Sequence, residues 1–276
     1  MKRIEMIGFP LSHVRSPNLL NAMLAQTGDD RRVVLRPLEV SEFPAYAGAT
    51  RQDKDVIGLI VTTPLKQLVC GGLDRRTPLV ALIGSSNCVR CDSRDWIGAN
   101  FDGFGLARAM RQAGLALAGK CILLKGCGGA GRAIAARLVA EGAQKLVIDD
   151  PEREKTAAFV ERLRATAPTC AISAGADFRG RFDILINASP LGMGPEDPSP
   201  APPAVIARCE SVVDIVIGAD PSRLRRHAEE QGKIFVDGAA MVRGQAALLL
   251  GFLLGEAASE EAAVLATDGA LPESVS

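Results

Sequence analysis

Short apolar runs alternating with helical patterns along most of the 276 residues predict an α/β fold with a parallel sheet. Two further observations divide it. A glycine-rich turn at Gly126–Gly131 joins an apolar run to a helical pattern, and over residues 87–99 the alternation gives way to short, irregular strand-like segments. A helix over 103–112 follows, and a domain boundary is placed there.

Before the boundary, strands are expected at residues 4–8, 33–37 and 56–61. Helices are expected at 17–26 and 41–52, the first opened by Ser16 as N-cap and Pro17 at the first helical position. A shorter helix is expected over 64–69. Within the irregular strand-like stretch 87–99, the segment 92–95 reads as a polar turn. After the boundary, strands are expected at 121–125, 145–149, 183–187, 211–216 and 234–236, interleaved with helices or turns. That rhythm belongs to a doubly wound nucleotide-binding domain. Residues 195–203 hold five prolines and read as a loop, a Met- and Leu-rich helix is expected over 239–254, and the last ten residues read as disordered.

Bulk composition narrows the partners. The 32 Lys and Arg cancel the 32 Asp and Glu, which leaves no electrostatic footprint for nucleic acid or an anionic membrane. Seven scattered cysteines read as free thiols in a reducing compartment, so a cytoplasmic location is expected. The start of the chain, interrupted by Pro10, does not read as a signal peptide. The apolar stretch 246–254 is under half of what a bilayer requires.

Gly126, Gly128 and Gly131 form G-C-G-G-A-G, with Gly129 and Ala130 completing a turn between strand and helix. In that context the glycines permit a tight turn and close backbone approach, and the helix N-terminus offers N–H donors to a pyrophosphate. About 20 residues on, Asp149 and Asp150 end the next strand. A carboxylate there accepts the ribose hydroxyls of NAD and repels the extra phosphate of NADP, although Arg153 nearby weakens the distinction. NAD is therefore expected ahead of NADP, with Asp150 as the ribose ligand and Asp149 as the fallback.

The residues 8–17, G-F-P-L-S-H-V-R-S-P, resemble the opening signature of the shikimate dehydrogenase family. V-T-T-P-L-K ending at Lys66, G-A-N-F-D-G around Asp102, N-A-S-P-L-G-M from Asn187, and Asp237-Gly238 followed by Met241 and Gln245 resemble its later motifs, in the same order. The resemblance implies two domains with an interdomain cleft: residues 1–101 plus 239–276 bind substrate, and residues 102–238 form a Rossmann NAD-binding domain. It implies hydride transfer between nicotinamide and a secondary alcohol of a shikimate- or quinate-like hydroxy acid. Lys66 and Asp102 match the catalytic pair, and Ser16, Thr62, Asn87 and Gln245 match substrate-binding positions. Cofactor contacts carry over to Ala188, Ser189, Val216, Gly238 and Met241 beside the glycine loop. The residue types fit independently, because oxidising an alcohol requires a base or proton relay within hydrogen-bond reach of the hydroxyl. Which of the two takes the proton is left open. A homodimer would be family-like, and nothing in the helical faces decides it.

Four positions depart from the pattern. Val14 stands for a serine, Ile60 for an asparagine, Phe101 for a threonine and Ile217 for a tyrosine. A lost hydrogen bond costs about 0.5–1.5 kcal/mol, so three aliphatic replacements amount to roughly 2–5 kcal/mol if additive. Shikimate is accordingly expected to be a poor substrate. The competing readings are a true shikimate or quinate dehydrogenase with a compensated pocket, and a non-catalytic sensor of ligand and nucleotide. Cys88-x-x-Cys91 lacks a second pair or a histidine, so no metal is expected. Cys127 reads as packing, His13 as orienting its loop, and His227 as solvated surface.

Overall fold

The computed structural model describes residues 1–12, 14, 16–92, 95–175, 180–194, 196–218 and 221–259. His13, Pro195 and the tail beyond residue 259, all subjects of the sequence reading, lie outside the described residues, as do residues 93–94 of the expected polar turn. The chain divides into one unit of Met1–Phe101 with Gln245–Ser276 and a second of Asp102–Gly244.

Unit 1 runs β1 (Arg3–Gly8), α1 (Ser16–Gln26), β2 (Arg32–Pro37), α2 (Phe43–Thr50), β3 (Val56–Val61), β4 (Arg75–Arg76), α3 (Pro78–Ile83), β5 (Cys88–Asp92) and β6 (Asp95–Ala99). Its six-stranded sheet has the order β2-β1-β3-β5-β6-β4. β1 pairs in parallel with β2 and β3, and β5 is antiparallel to β3 and β6. β3, V-I-G-L-I-V, is apolar throughout because both of its faces are covered.

One short helix came out differently. Over residues 64–69 the chain makes successive turns and then a 3-10 helix at Leu68–Gly72. Leu65 and Val69 are fully buried, which satisfies the apolar spacing, but Gly71 and Gly72 follow at once and disfavour continuation as an α-helix. α3 was not foreseen, although its ends are marked: Thr77 Oγ1 accepts the Val80 N–H, Pro78 opens the helix, and Gly84 closes it at φ 63°.

Unit 2 runs α4 (Asp102–Gln112), β7 (Cys121–Lys125), α5 (Gly129–Ala140), β8 (Lys145–Asp149), α6 (Arg153–Arg164), β9 (Ala171–Ala174), β10 (Ile184–Asn187), α7 (Pro203–Arg208), β11 (Ser211–Asp214), α8 (Arg223–Glu230), β12 (Ile234–Asp237) and α9 (Gly238–Leu254). Its second six-stranded sheet is wholly parallel, ordered β12-β11-β10-β7-β8-β9. Chain direction across the sheet reverses between β7 and β10, the doubly wound arrangement with a topological switch point there. α9 starts in unit 2 and crosses into unit 1 between Gly244 and Gln245, inside the helix.

The unit 1 part of α9 is held by packing around Phe252. Its ring meets Phe101 edge-on at 5.7 Å between centroids, and the Arg90 guanidinium lies over it at 5.2 Å. Phe252→Ala should therefore cost about 3–5 kcal/mol of unfolding free energy, measured by urea denaturation. A loss below about 1 kcal/mol would mean that the helix is held elsewhere.

Candidate active site

Every strand of the parallel sheet from β8 across to β12 ends on a polar residue, and strand register aligns these ends. Asp149 pairs with Lys125, Lys125 with Asn187, Asn187 with Asp214, and Asp214 with Asp237. The expected cofactor residues all lie on or just beyond this row, where ligands bind in open α/β sheets.

The glycine loop leaves β7 at Gly126. Its φ is 100°, and a Cβ there would lie 2.6 Å from the Ala188 carbonyl carbon and oxygen. A Cβ at Gly131 would run into the Gly126 carbonyl, so helix and loop touch backbone to backbone. Gly128 differs. It is exposed, has ordinary φ of −72°, and a Cβ on it would meet nothing within 4 Å. It is also the N-cap of α5 and has no side chain with which to cap the first-turn amides. Gly129 and Ala130, half-buried, begin the helix. One glycine for the turn, one for open approach and one for packing is the division of labour a pyrophosphate site requires, so the residues fit a dinucleotide.

Both carboxylates after β8 are engaged. Asp149 forms an ion pair with Lys125. Asp150 accepts the Cys127 N–H at 2.7 Å and the Glu152 N–H at 2.8 Å, so it fastens the loop to the exit of β8. The Gly126 N–H adds a bond to the Asp149 carbonyl at 2.8 Å. Ala188 and Ser189 follow β10, Val216 follows β11, and Gly238 and Met241 lie in the first turn of α9, whose Ala240 N–H is capped by Asp237 at 2.8 Å. Sequence reasoning had missed Lys125, Asn187 and Asp214 as members of this site. The signal was the polar residue closing each strand.

In unit 1 the expected substrate residues gather at one end of the mixed sheet. Ser16 opens α1 after β1, and its Oγ donates to Met6 Sδ at 3.5 Å. Thr62 follows β3, with its N–H bonded to the Ile7 carbonyl at 2.9 Å. Asn87, 2% exposed, accepts the Phe101 N–H at 3.0 Å and donates to Gln245 Oε1 at 2.8 Å, so these two predicted residues meet directly. Lys66, half-buried, is fixed through its carbonyl, which accepts the Ser86 N–H at 2.8 Å. Asp102, in unit 2, is buried as the first residue of α4, where the helix N-terminus favours a carboxylate.

The departures from the family pattern are placed unequally. Ile60 and Phe101 are buried by packing, Val14 is half-buried, and Ile217 is 40% exposed beyond β11. The thiols of the C-x-x-C segment are shielded: burial pushes Cys88 well above the usual thiol range and Cys91 up to about 12. His227 is half-buried, with its Nδ1 shielded and unbonded, and not on a fully solvated face as expected. Its helix packs Leu224 and Ala228 inward and carries the ring partway with them.

Residues 6–89 match the model of the shikimate dehydrogenase substrate binding domain. A shikimate dehydrogenase (NADP(+)) of Janthinobacterium sp. (strain Marseille) is 33% identical over 249 residues, 87% of this chain and 88% of the relative. The chain belongs to the shikimate dehydrogenase family. Among solved structures, shikimate 5-dehydrogenase of Thermus thermophilus, in complex with NADP(H) and shikimate, is 27% identical with a TM-score of 0.81. It covers 96% of this chain and 100% of its own. The Listeria monocytogenes enzyme, in complex with shikimate and NAD, is 25% identical with a TM-score of 0.80 and 92% of each chain covered. No helix among the described residues is long and apolar enough to cross a membrane.

The glycine geometry separates two substitutions. Gly128→Ala should cost no more than about 1 kcal/mol, because the N-cap preference for Gly over Ala is offset by the reduced freedom of the unfolded chain. Gly126→Ala should lose about 1–3 kcal/mol or more through its backbone conformation and the Ala188 clash. Thermal and urea unfolding of the two variants checks this, and equal losses would contradict the geometry.

Proposed function

We propose that this member of the shikimate dehydrogenase family is an NAD-linked oxidoreductase. Its substrate would be a secondary alcohol on a shikimate- or quinate-like hydroxy acid, with shikimate itself a poor substrate. The observation that carries the proposal is the glycine loop, open at Gly128 and seated on an all-parallel sheet at its switch point. When bound, a nicotinamide dinucleotide supplies the hydride acceptor or donor. The rest falls to the side chains.

Lys66 and Asp102 handle the hydroxyl proton as hydride leaves the carbinol carbon: one accepts it and the other tunes or relays it. Ser16, Thr62, Asn87 and Gln245 orient the acid by hydrogen bonds. Asn87 and Gln245 act as a preset pair, because their mutual bond fixes which amide atoms remain for a ligand. Val14 and Ile217 cannot reproduce the hydrogen bonds of the polar residues they replace, which favours a less hydroxylated or differently substituted acid. The curated relatives carry the name shikimate dehydrogenase, and that favours the second reading, a true shikimate or quinate dehydrogenase. The seven free cysteines suit a reducing compartment, the cytoplasm.

Cofactor choice rests on charge. Asp149 ends β8, paired with Lys125, and Asp150 follows it, bound to the glycine loop; two carboxylates there favour ribose hydroxyls over a 2′-phosphate, with Arg153 nearby acting against them. The names of the relatives point the other way, to NADP. A panel of cyclic hydroxy acids assayed with both dinucleotides decides it: kcat/KM should be at least about tenfold higher with NAD, a difference of about 1.4 kcal/mol. Equal or higher efficiency with NADP would sink the preference, and shikimate turnover as fast as the best acid would sink the altered pocket. Lys66→Ala and Asp102→Ala should each lower kcat by about 10²–10⁴-fold with dinucleotide binding retained. Full activity in either variant would remove that residue from the chemistry.

A further inference from the structure

We propose that Asn187 and Asp214 form a positioning couple that sets the loop against which the glycine turn is seated, and thereby the affinity for the dinucleotide. Asn187 is the last residue of β10 and Asp214 the last of β11; they are register partners, 0% and 3% exposed. Asn187 borders the switch point between β7 and β10 and Asp214 lies one strand further out, yet the proton chemistry uses neither.

Asn187 spends its whole hydrogen-bonding capacity here. Its Nδ2 donates to Asp214 Oδ1 and to the Leu191 carbonyl, both at 2.9 Å. Its Oδ1 accepts from the Ser189 N–H at 3.1 Å and the Ser189 hydroxyl at 2.6 Å. Ser189 Oγ in turn accepts the Leu191 N–H at 3.3 Å. The turn over residues 188–191 is thus drawn around one amide. Asp214 ties in two more segments: Oδ1 accepts the Val216 N–H at 3.2 Å, and Oδ2 accepts the hydroxyl of Ser222 at 2.9 Å. Ser222 is the N-cap of α8.

The link to the cofactor loop is direct. Gly126 sits where an added Cβ would lie 2.6 Å from the Ala188 carbonyl and 2.7 Å from Ser189 N. A shift of a few tenths of an ångström in the 188–191 turn has to move the glycine loop or open a gap beneath it.

A purely structural role fits the chemistry poorly. The partners of Asp214 are an amide, a backbone N–H and a hydroxyl, all neutral, and burial raises its carboxyl above the usual range. Well-packed apolar residues would stabilise the same strand ends at least as well. What they could not do is fix the direction of three chain exits at once.

The proposal rests on the reading that the glycine loop takes a dinucleotide, and the test keeps the two apart. NADH and NADPH binding to the purified full chain would be titrated by cofactor fluorescence, alongside urea unfolding and amide hydrogen exchange over residues 188–191. Asp214→Leu should raise the NADH dissociation constant at least about tenfold and speed exchange in that turn. Asp214→Asn should stay within about threefold of wild type. Its Oδ1 can accept both N–H donors while its Nδ2 donates to a reoriented Ser222 hydroxyl. Ser222→Ala, which removes the α8 cap and one Asp214 bond but leaves the Asn187–Asp214 bond and the 188–191 turn in place, should lower stability without moving the NADH constant.

An unchanged constant in folded Asp214→Leu, or an equal rise in Ser222→Ala, overturns the couple. Should Asp214→Leu fail to fold, Asn187→Ser carries the same expectation. If the wild type binds neither dinucleotide, the functional reading fails, and exchange over 188–191 still reports whether Asp214 orders the turn.

Discussion

The second unit depends on one steric constraint: at Gly126 and Gly131 two backbones meet with no room for a Cβ. That contact lets α5 start directly after β7, with no side chain capping its first-turn amides. A side chain at Gly126 would push the loop off Ala188, and one at Gly131 would push the helix off the Gly126 carbonyl. The remaining features of the proposed cofactor site, from the Asp150 bond to the loop to the cap on α9, are arranged around that approach. Electrostatics then adds direction, since a helix N-terminus without a capping side chain favours an anion in front of it.

Both units solve the problem of irregular backbone at a strand end in the same way. Asn87 stands just before β5, buried, and binds the Phe101 N–H and Gln245; Asn187 stands at the end of β10 and binds Ser189, Leu191 and Asp214. An amide carries donors and acceptors together, so one buried side chain can satisfy backbone groups that have left the ladder. Neither asparagine adds charge. In unit 1 the effect is to hold α9 against the sheet, where Phe252, Phe101 and Arg90 complete the packing.

Much of this was legible in the sequence because parallel strands are covered on both faces and read as unbroken apolar runs. β3 and β7 stand out for that reason. The glycine loop was legible as well, since its spacing carries its own geometry. The short edge strands β4 and β9 were not. β9 has a single buried residue in A-I-S-A, and β4 is two arginines. The expected helix over 64–69 had the right apolar spacing for burial, and spacing alone does not distinguish one α turn from consecutive tighter turns.

The order of the residues was enough for the α/β class, the motif order that marks the family, the phosphate-type loop and the candidate pair Lys66 and Asp102. These depend on local periodicity, or on residue types whose meaning is nearly independent of neighbours. It took the folded chain to establish that Asp149 is paired with Lys125, that Asp150 binds the glycine loop, and that Asn187 and Asp214 are partners. Each of those facts depends on which strands lie side by side. Strand order in a doubly wound sheet is set by crossover connections, and residues 24 or 27 positions apart become neighbours only when the sheet has closed in that order.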